Sequence, residues 1–459
     1  MTDPRTPAPA SASAPAEPPP EGDRLRDMLR TPGYLKLLVL CALIGIPVSL
    51  AAFWFLVALH QLEHLVWADL PEALGWSGPP WWWPLPTLLV AGVLVGLVVT
   101  RLPGAGGHIA ASGLHAGGAT SAALPGVVLA AVFSLPLGAT LGPEAPLIAL
   151  GGGLALLFRD LAQAPATPQS TAILGAAGAA AAISAIFGNP LIGAVLLMEV
   201  AGVGGPQLFA IMLPALLSSG VGELVFTGFG RWTGLETGSL TLDLAAPFPR
   251  LDAPDVLWSL LLAAVMGVFM HFVLAGGRYA CVYVARRPVA HTAVCAVAAG
   301  AFGALYALVT GNSPVDVASS GQAVMGSLAS DPQAWGIGAL IAVLLCKGAA
   351  YALCLGSLRG GPIFPALFLG AAAGVLCAPL PGLGLVPGLA AGMAAAATCA
   401  LRLPVSSVVL VVLLLGSGAM IPVIILASVV AFVVTELLPP GPAVPPVGKA
   451  VAAPAAGAK

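Results

Sequence analysis

Residues 139 to 158 read ATLGPEAPLIALGGGLALLF, and this stretch decides the fold. One carboxylate, Glu144, stands between Pro143 and Pro146, just ahead of an apolar run that reads only as helix. Proline is tolerated in the first turn of a helix, so GPEAP marks a helix start set in apolar sequence. Such a start presents unpaired backbone N–H groups and the positive end of a helix dipole. An ionisable side chain at that depth is costly and marks a functional site by default. The stretch therefore reads as an anion site in hydrocarbon, with a carboxylate tethered at its mouth. The alternative is a glutamate that merely caps the helix, a task a solvent-exposed helix end performs at far lower cost.

The rest of the chain agrees with a membrane setting. Hydrophobic residues make up 59% of the 459 residues and charged residues 8%, against roughly 25% charged in an ordinary soluble domain. The expected class is an all-α polytopic membrane protein with the lipid bilayer as its surroundings. With 57 glycines and 43 prolines, its helices should be closely packed and often interrupted. A net charge of −2 without a basic patch argues against a nucleic-acid partner. The seven cysteines (Cys41, Cys281, Cys295, Cys346, Cys354, Cys377 and Cys399) are scattered and form no CxxC pair. They read as small buried hydrophobes, and no cofactor or metal is expected.

Residues 1–33, rich in proline, alanine and charge, are expected to be a disordered tail, as is the Pro/Ala segment 439–459. Arg24, Arg26, Arg30 and Lys36 crowd the front of the first apolar run, which predicts a cytoplasmic N-terminus and a place in the cell membrane. The first span is expected over about 35–58, ending in the amphipathic HQLEHLVW. PPWWWPLP (79–86) suits an aromatic belt at the membrane surface. After a span at about 87–100 comes the glycine-rich 103–118, then apolar segments at about 123–139, 145–158, 171–187, 190–203 and 208–228. Several fall short of the roughly 20 residues a perpendicular span requires. Short, Gly/Pro-interrupted segments point to broken helices around a midplane site. A polar stretch, 229–254, precedes a second set at about 255–276, 288–310, 335–356, 363–380, 385–400, 404–416 and 420–438.

The two sets look alike. GPEAPLIALGGGLALLF resembles GGPIFPALFLGAAAGVL, with Pro146 matching Pro365, an offset of 219. GAAGAAAAISAIFGNPLIGAVLLMEV resembles GMAAAATCALRLPVSSVVLVVLLLG, with Pro190 matching Pro404, an offset of 214. A duplication is expected, with first repeat about 35–228 and second about 255–438 inside one domain, 34–438.

Four blocks resemble the CLC family of chloride channels and anion/proton exchangers. LGPEAPLIALGGGLA stands where the family has GxEGP and a glycine-rich helix. IFGNPLIGAVLLMEV resembles its F-N-x-P-L-x-G block, and CKGAAYALCLGSLRGGPIFPALFLGAAAG its lysine-bearing helix, G-S-G turn and G-x-F-x-P motif. LRLPVSSVVLVVLL resembles the proline-started helix that follows. The resemblance implies a homodimer in which each subunit holds its own anion pathway. It also implies a CLC-like fold of two inverted repeats of tilted and broken helices, whose half-helix N-termini converge on the anion.

By that resemblance Glu144 is the gating glutamate, whose carboxylate occupies the anion site until protonated or displaced. The implied anion-binding positions are Gly107, His108 and Ile109 in the first loop, Gly142 beside the gate, and Gly361, Ile363 and Phe364 in the second loop. Gly107 replaces the family's serine, and His108 beside it either supplies an N–H or simply sits at a helix start near water. Pro362 stands where the family offers a backbone N–H, so one anion ligand should be missing. Arg359 either restores positive potential there or is a surface arginine. Lys347 either lends positive potential to the pathway or snorkels to an interface. Glu223, Glu436 and Arg402 are expected at interfaces. With no tyrosine beyond Tyr351, the pathway should carry fewer hydroxyls than the family's.

The family's intracellular proton-transfer glutamate falls on Val200, with Glu199 one residue earlier as the remaining relay candidate. The expected activity is passive chloride or small-anion conduction; a proton-coupled antiporter of the same fold is the alternative. One enzyme motif is formally present: His60-Gln61-Leu62-Glu63-His64 fits the inverted zinc-peptidase signature H-x-x-E-H. A five-residue pattern lacking an identified third ligand makes a metallopeptidase a remote rival.

Overall fold

A computed structural model of the chain describes residues 26, 29–114, 119–163, 166–202, 206–235, 237, 242 and 244–445. The two expected tails fall mostly outside them. The first half holds α1 (Pro32–His64), α2 (Pro84–Arg101), α3 (Leu124–Ser134), α4 (Glu144–Leu161), α5 (Pro168–Phe187), α6 (Pro190–Ala201) and α7 (Pro206–Thr233). The second holds α8 (Ala253–Arg286), α9 (Pro288–Thr310), α10 (Gln322–Ser330), α11 (Ile337–Ser357), α12 (Ile363–Cys377), α13 (Leu385–Leu401), α14 (Pro404–Leu415) and α15 (Ile421–Leu437). Among the described residues 8 helices are long and apolar enough to cross a membrane. Helices α3, α6, α12, α13 and α14 are apolar but shorter, as broken spans should be.

Local chemistry sets the boundaries. Prolines open α1, α2, α5, α6, α9 and α14, where a missing N–H costs nothing. Between α5 and α6 the chain turns at Gly188 (φ 62°), a left-handed conformation that favours glycine. Asn189 then caps α6 by accepting from the N–H of Leu191 at 2.9 Å.

The duplication is visible in the packing. Helix α4 packs on α5, and α5 on α6 and α7; in the second half α12 packs on α13, and α13 on α14 and α15. Each half is drawn together at glycine crossings. A Cβ on Gly151 would lie 2.4 Å from Gly178 O, and one on Gly370 would lie 2.2 Å from Gly392 O. These glycines repeat at the offsets of the prolines: 219 from Gly151 to Gly370, and 214 from Gly178 to Gly392. Without a hydrophobic drive between helices in lipid, such backbone approach supplies the dispersion that holds them. The central helices α5, α12 and α13 are almost wholly buried. The outer helices α1, α8, α9 and α11 keep apolar residues exposed, among them Val39, Leu257, Phe272, Val309 and Leu345.

Three expectations change. The first helix does not end near 58: α1 runs to His64 and continues through a π turn, Leu65–Asp69, into Leu70–Ala73. The tryptophans of 81–83 are not all a surface belt. Trp83 is buried and donates to Val66 O at 3.0 Å, and Trp82 packs against it and Trp76, leaving Trp81 exposed. Helix α8 has 34 residues, about 51 Å at 1.5 Å per residue, and runs on past the expected end near 276 to Arg286.

Candidate functional site

Two helix starts meet at the centre. Gly142-Pro143 leads into α4 and Gly361-Pro362 into α12. The glycines form an antiparallel bridge: the N–H of Gly142 donates to Gly361 O at 2.8 Å, and that of Gly361 to Gly142 O at 2.5 Å. This reciprocal exchange is the local form of an inverted repeat, and it sets the two N-termini side by side. Glu144, at the first position of α4, is fully buried. Its Oε1 accepts from the N–H of Phe364, in the first turn of α12, at 2.8 Å. The N–H groups of Ile363 and of Glu144 itself also face the carboxylate, outside strict hydrogen-bond geometry. Oε2 is sealed in without a hydrogen-bond partner among the described residues.

The glycines make room for this carboxylate. A Cβ on Gly361 would lie 1.9 Å from Oε2, and one on Gly142 would lie 2.2 Å from it. A buried carboxylate requires donors or a proton, and the N–H in strict hydrogen-bond geometry here, that of Phe364, comes from α12 in the other half. Phe364 is stacked on Phe187, from the end of α5, with ring centroids 5.4 Å apart.

The first loop lies apart from this pairing. Gly107 has φ +90°, and a Cβ there would meet Val127 Cγ2 at 3.0 Å. The ring of His108 contacts Gly113 O and lies 3.2 Å from Ser112 Oγ, both in its own loop. Ile109 is buried. Residues 115–118 of the glycine-rich stretch lie outside the described residues. Arg359 ties this loop to the second. It is buried, its Nε donates to Ala105 O at 3.3 Å, and its backbone N–H donates to Ser134 Oγ at 3.3 Å. It is not a surface arginine.

Lys347 is likewise buried, but its ammonium is fully engaged. Nζ lies 3.1, 3.1, 3.3 and 3.2 Å from the carbonyl oxygens of Asp316, Val317, Ala318 and Ser319, and 4.7 Å from the centroid of Phe368. That loop in turn holds the approach to Glu144: the N–H of Ser319 donates to Gly138 O at 3.1 Å, and Thr140 Oγ1 to Val317 O at 3.2 Å. Lys347 does not snorkel: its ammonium is held inside the protein by these carbonyls.

Glu199 mirrors Glu144. It accepts from the N–H of Val405 at 3.1 Å, the N–H of Ser406 at 2.7 Å and Ser406 Oγ at 2.6 Å. A glutamate of the first half thus caps α14 of the second. Sequence reasoning missed Tyr351, whose buried hydroxyl donates to Pro362 O at 2.7 Å. A tyrosine does reach the second loop, although from the helix before it.

The H-x-x-E-H residues part company. His64 is exposed and pairs with Asp69 at 3.1 Å, whereas His60 and Glu63 line a cavity of about 580 Å³ together with Leu141, Pro143, Ser319 and Gly321. Among the described residues no group of three or more His, Cys, Asp or Glu is placed to hold a metal.

Known proteins place this geometry. "Putative ion-transport protein YfeO" of Salmonella typhimurium is 26% identical over 346 residues, covering 73% of this chain and 78% of that protein. Its counterpart in Escherichia coli SMS-3-5 is 26% identical over 337 residues, covering 72% and 77%. Among solved structures, a slow cyanobacterial Cl⁻/H⁺ antiporter superposes with a TM-score of 0.71 at 20% identity, over 87% of this chain and 94% of that one. A CLC-type fluoride/proton antiporter superposes with a TM-score of 0.64 at 18% identity, over 88% and 95%. The family model described as voltage gated chloride channel matches residues 95–436. With its paired helix starts and its buried glutamate, the chain belongs to the voltage gated chloride channel family.

Proposed function

We propose that this protein carries chloride or similar small anions across the cell membrane through a pathway gated by Glu144, and that it does so passively. The observation that carries the reading is the seat of the Glu144 carboxylate on the N–H of Phe364, between two helix N-termini. What holds a carboxylate there favours an inorganic anion for the same reason. Anion and carboxylate compete for one place, and protonating or displacing Glu144 vacates it. The backbone of Gly142, Gly361, Ile363 and Phe364 lines that place. Gly107, His108 and Ile109 stand at the first loop, with Arg359 adding positive potential.

Passive conduction is favoured by Val200 at the proton-transfer position and by Glu199 being committed to capping α14. The second reading, a proton-coupled antiporter with Glu199 as relay, is favoured by the solved relatives, which are described as Cl⁻/H⁺ and fluoride/proton antiporters. The family resemblance favours a homodimer, and the basic residues before α1 favour a cytoplasmic N-terminus. The deciding experiment imposes a chloride gradient on proteoliposomes while external pH is followed. Chloride flow without proton movement is expected; uphill proton movement establishes the antiporter, and no flux of any anion overturns both readings.

A further inference from the structure

We propose that Arg359 binds the translocated anion through its guanidinium fork and makes the pathway prefer small planar oxyanions, such as nitrate, formate and bicarbonate, to halides. The inference rests on the anion-transport reading above and adds the substrate class. Arg359 stands two residues before Gly361, and its side chain runs back along Gly106, where a Cβ would lie 3.5 Å from Arg359 Cγ. It thereby spans the second loop and the first. Of its five N–H bonds, Nε uses one on Ala105 O and Nη1 one on Leu358 O, at 3.3 and 3.1 Å. Both N–H bonds of Nη2 and the second of Nη1 have no partner among the described residues. No carboxylate lies within ion-pair reach either: the arginine ion pairs found there are Arg159–Asp160 and Arg402–Glu436.

A guanidinium cannot shed its charge, and a buried charge without a counter-ion is costly. Residue 359 keeps 4% of its surface accessible, and an anion arriving along the pathway would supply the counter-charge that no carboxylate supplies. Its shape follows from the donors left over. Adjacent N–H bonds of a planar fork match two oxygens of a planar anion, whereas a halide is a single point. Single-point hydroxyl donors are scarce here: Gly107 offers none, and the Tyr351 hydroxyl is spent on Pro362 O. The pathway's resident group, the Glu144 carboxylate, is itself a planar oxyanion.

The test is efflux of chloride, nitrate and formate from proteoliposomes bearing wild type, Arg359→Lys or Glu144→Gln. Wild type should pass nitrate and formate about tenfold faster than chloride, the worth of one further N–H···O bond to a charged group. Arg359→Lys keeps the charge but loses the fork, and should bring the ratio close to one while chloride still flows. Equal rates in wild type, or a ratio unmoved by Arg359→Lys, overturn the inference and leave anion transport standing. No flux of any anion overturns the transport reading and this one with it. Should Arg359→Lys not fold, calorimetric titration of Glu144→Gln with sodium nitrate and sodium chloride decides: nitrate should bind about tenfold tighter, and equal or weaker nitrate binding overturns the inference.

Discussion

The N–H of Phe364 donates to Oε1 of Glu144 at 2.8 Å, across 220 residues of chain. Each partner belongs to a different half of the duplication. The bond therefore both seats the Glu144 carboxylate and joins the two halves, so disturbing it should be read out in transport and in stability separately.

Transport is the first readout. Glu144→Gln keeps the shape of the side chain but loses the charge that, in the proposed function, competes with the anion. A charge-assisted hydrogen bond contributes about 1.5–3 kcal/mol, so anion efflux should rise on the order of 10- to 100-fold and lose its pH dependence. Efflux from proteoliposomes over a pH series measures both; an unchanged pH profile rules out Glu144 as the gate.

Gly361→Ala places a methyl group where Oε2 now sits. Overpacking of this kind typically costs 1–3 kcal/mol, here about that much in detergent thermal unfolding, and the carboxylate should be expelled. Adding Glu144→Ala removes the clash, so the double variant should recover part of the lost stability. Strict additivity of the two substitutions would show that the methyl group and the carboxylate do not meet.

Glu199→Ala removes three hydrogen bonds from the start of α14. The loss of a charged cap should cost roughly 1–3 kcal/mol in the same unfolding assay while anion flux continues. If Glu199→Gln instead abolishes proton movement that wild type shows, Glu199 is a relay and the antiporter reading stands.

Lys347→Met leaves the carbonyls of Asp316, Val317, Ala318 and Ser319 without their shared donor. Each buried acceptor left without a donor costs about 1–3 kcal/mol. The expected result is loss of monodisperse protein in size-exclusion chromatography. A well-folded Lys347→Met protein with altered anion preference would return the lysine to the pathway.

Asp316, in the turn Pro314–Asp316, titrates above the ordinary carboxylate range because burial penalises its charge; the Tyr306 hydroxyl, donating to it at 2.9 Å, and nearby Lys347 offset this only in part. The folded form therefore takes up the proton more readily than the unfolded form. Its contribution to stability is full below the unfolded value and is lost as pH rises through the folded one. Asp316→Asn should flatten that part of the unfolding-versus-pH curve, and an unchanged slope would assign it to another group.

Much of this was legible in the residues. Proline after glycine announced both helix starts, and the offsets of 219 and 214 reappeared in the glycine crossings, because a duplicated backbone must cross itself at matching places. The partners of Lys347 were hidden. They are carbonyls about 30 residues away, and a carbonyl carries no side-chain signature. The burial of Trp83 was hidden for a related reason: three consecutive tryptophans read alike, and only the π turn above them decides which faces inward. Tyr351 was judged by its place in the chain, whereas its hydroxyl reaches the second loop through space, over the end of α11.

The bridge between Gly142 and Gly361 has a consequence for descent. The innermost contacts are written in main chain, at positions where any added carbon collides with the Glu144 carboxylate. A lineage therefore has no gradual path to a new ion by substitution there. A change of preference has to come from side chains around the bridge instead, so chains of this build that differ in the ion they carry should differ there and agree at the knot.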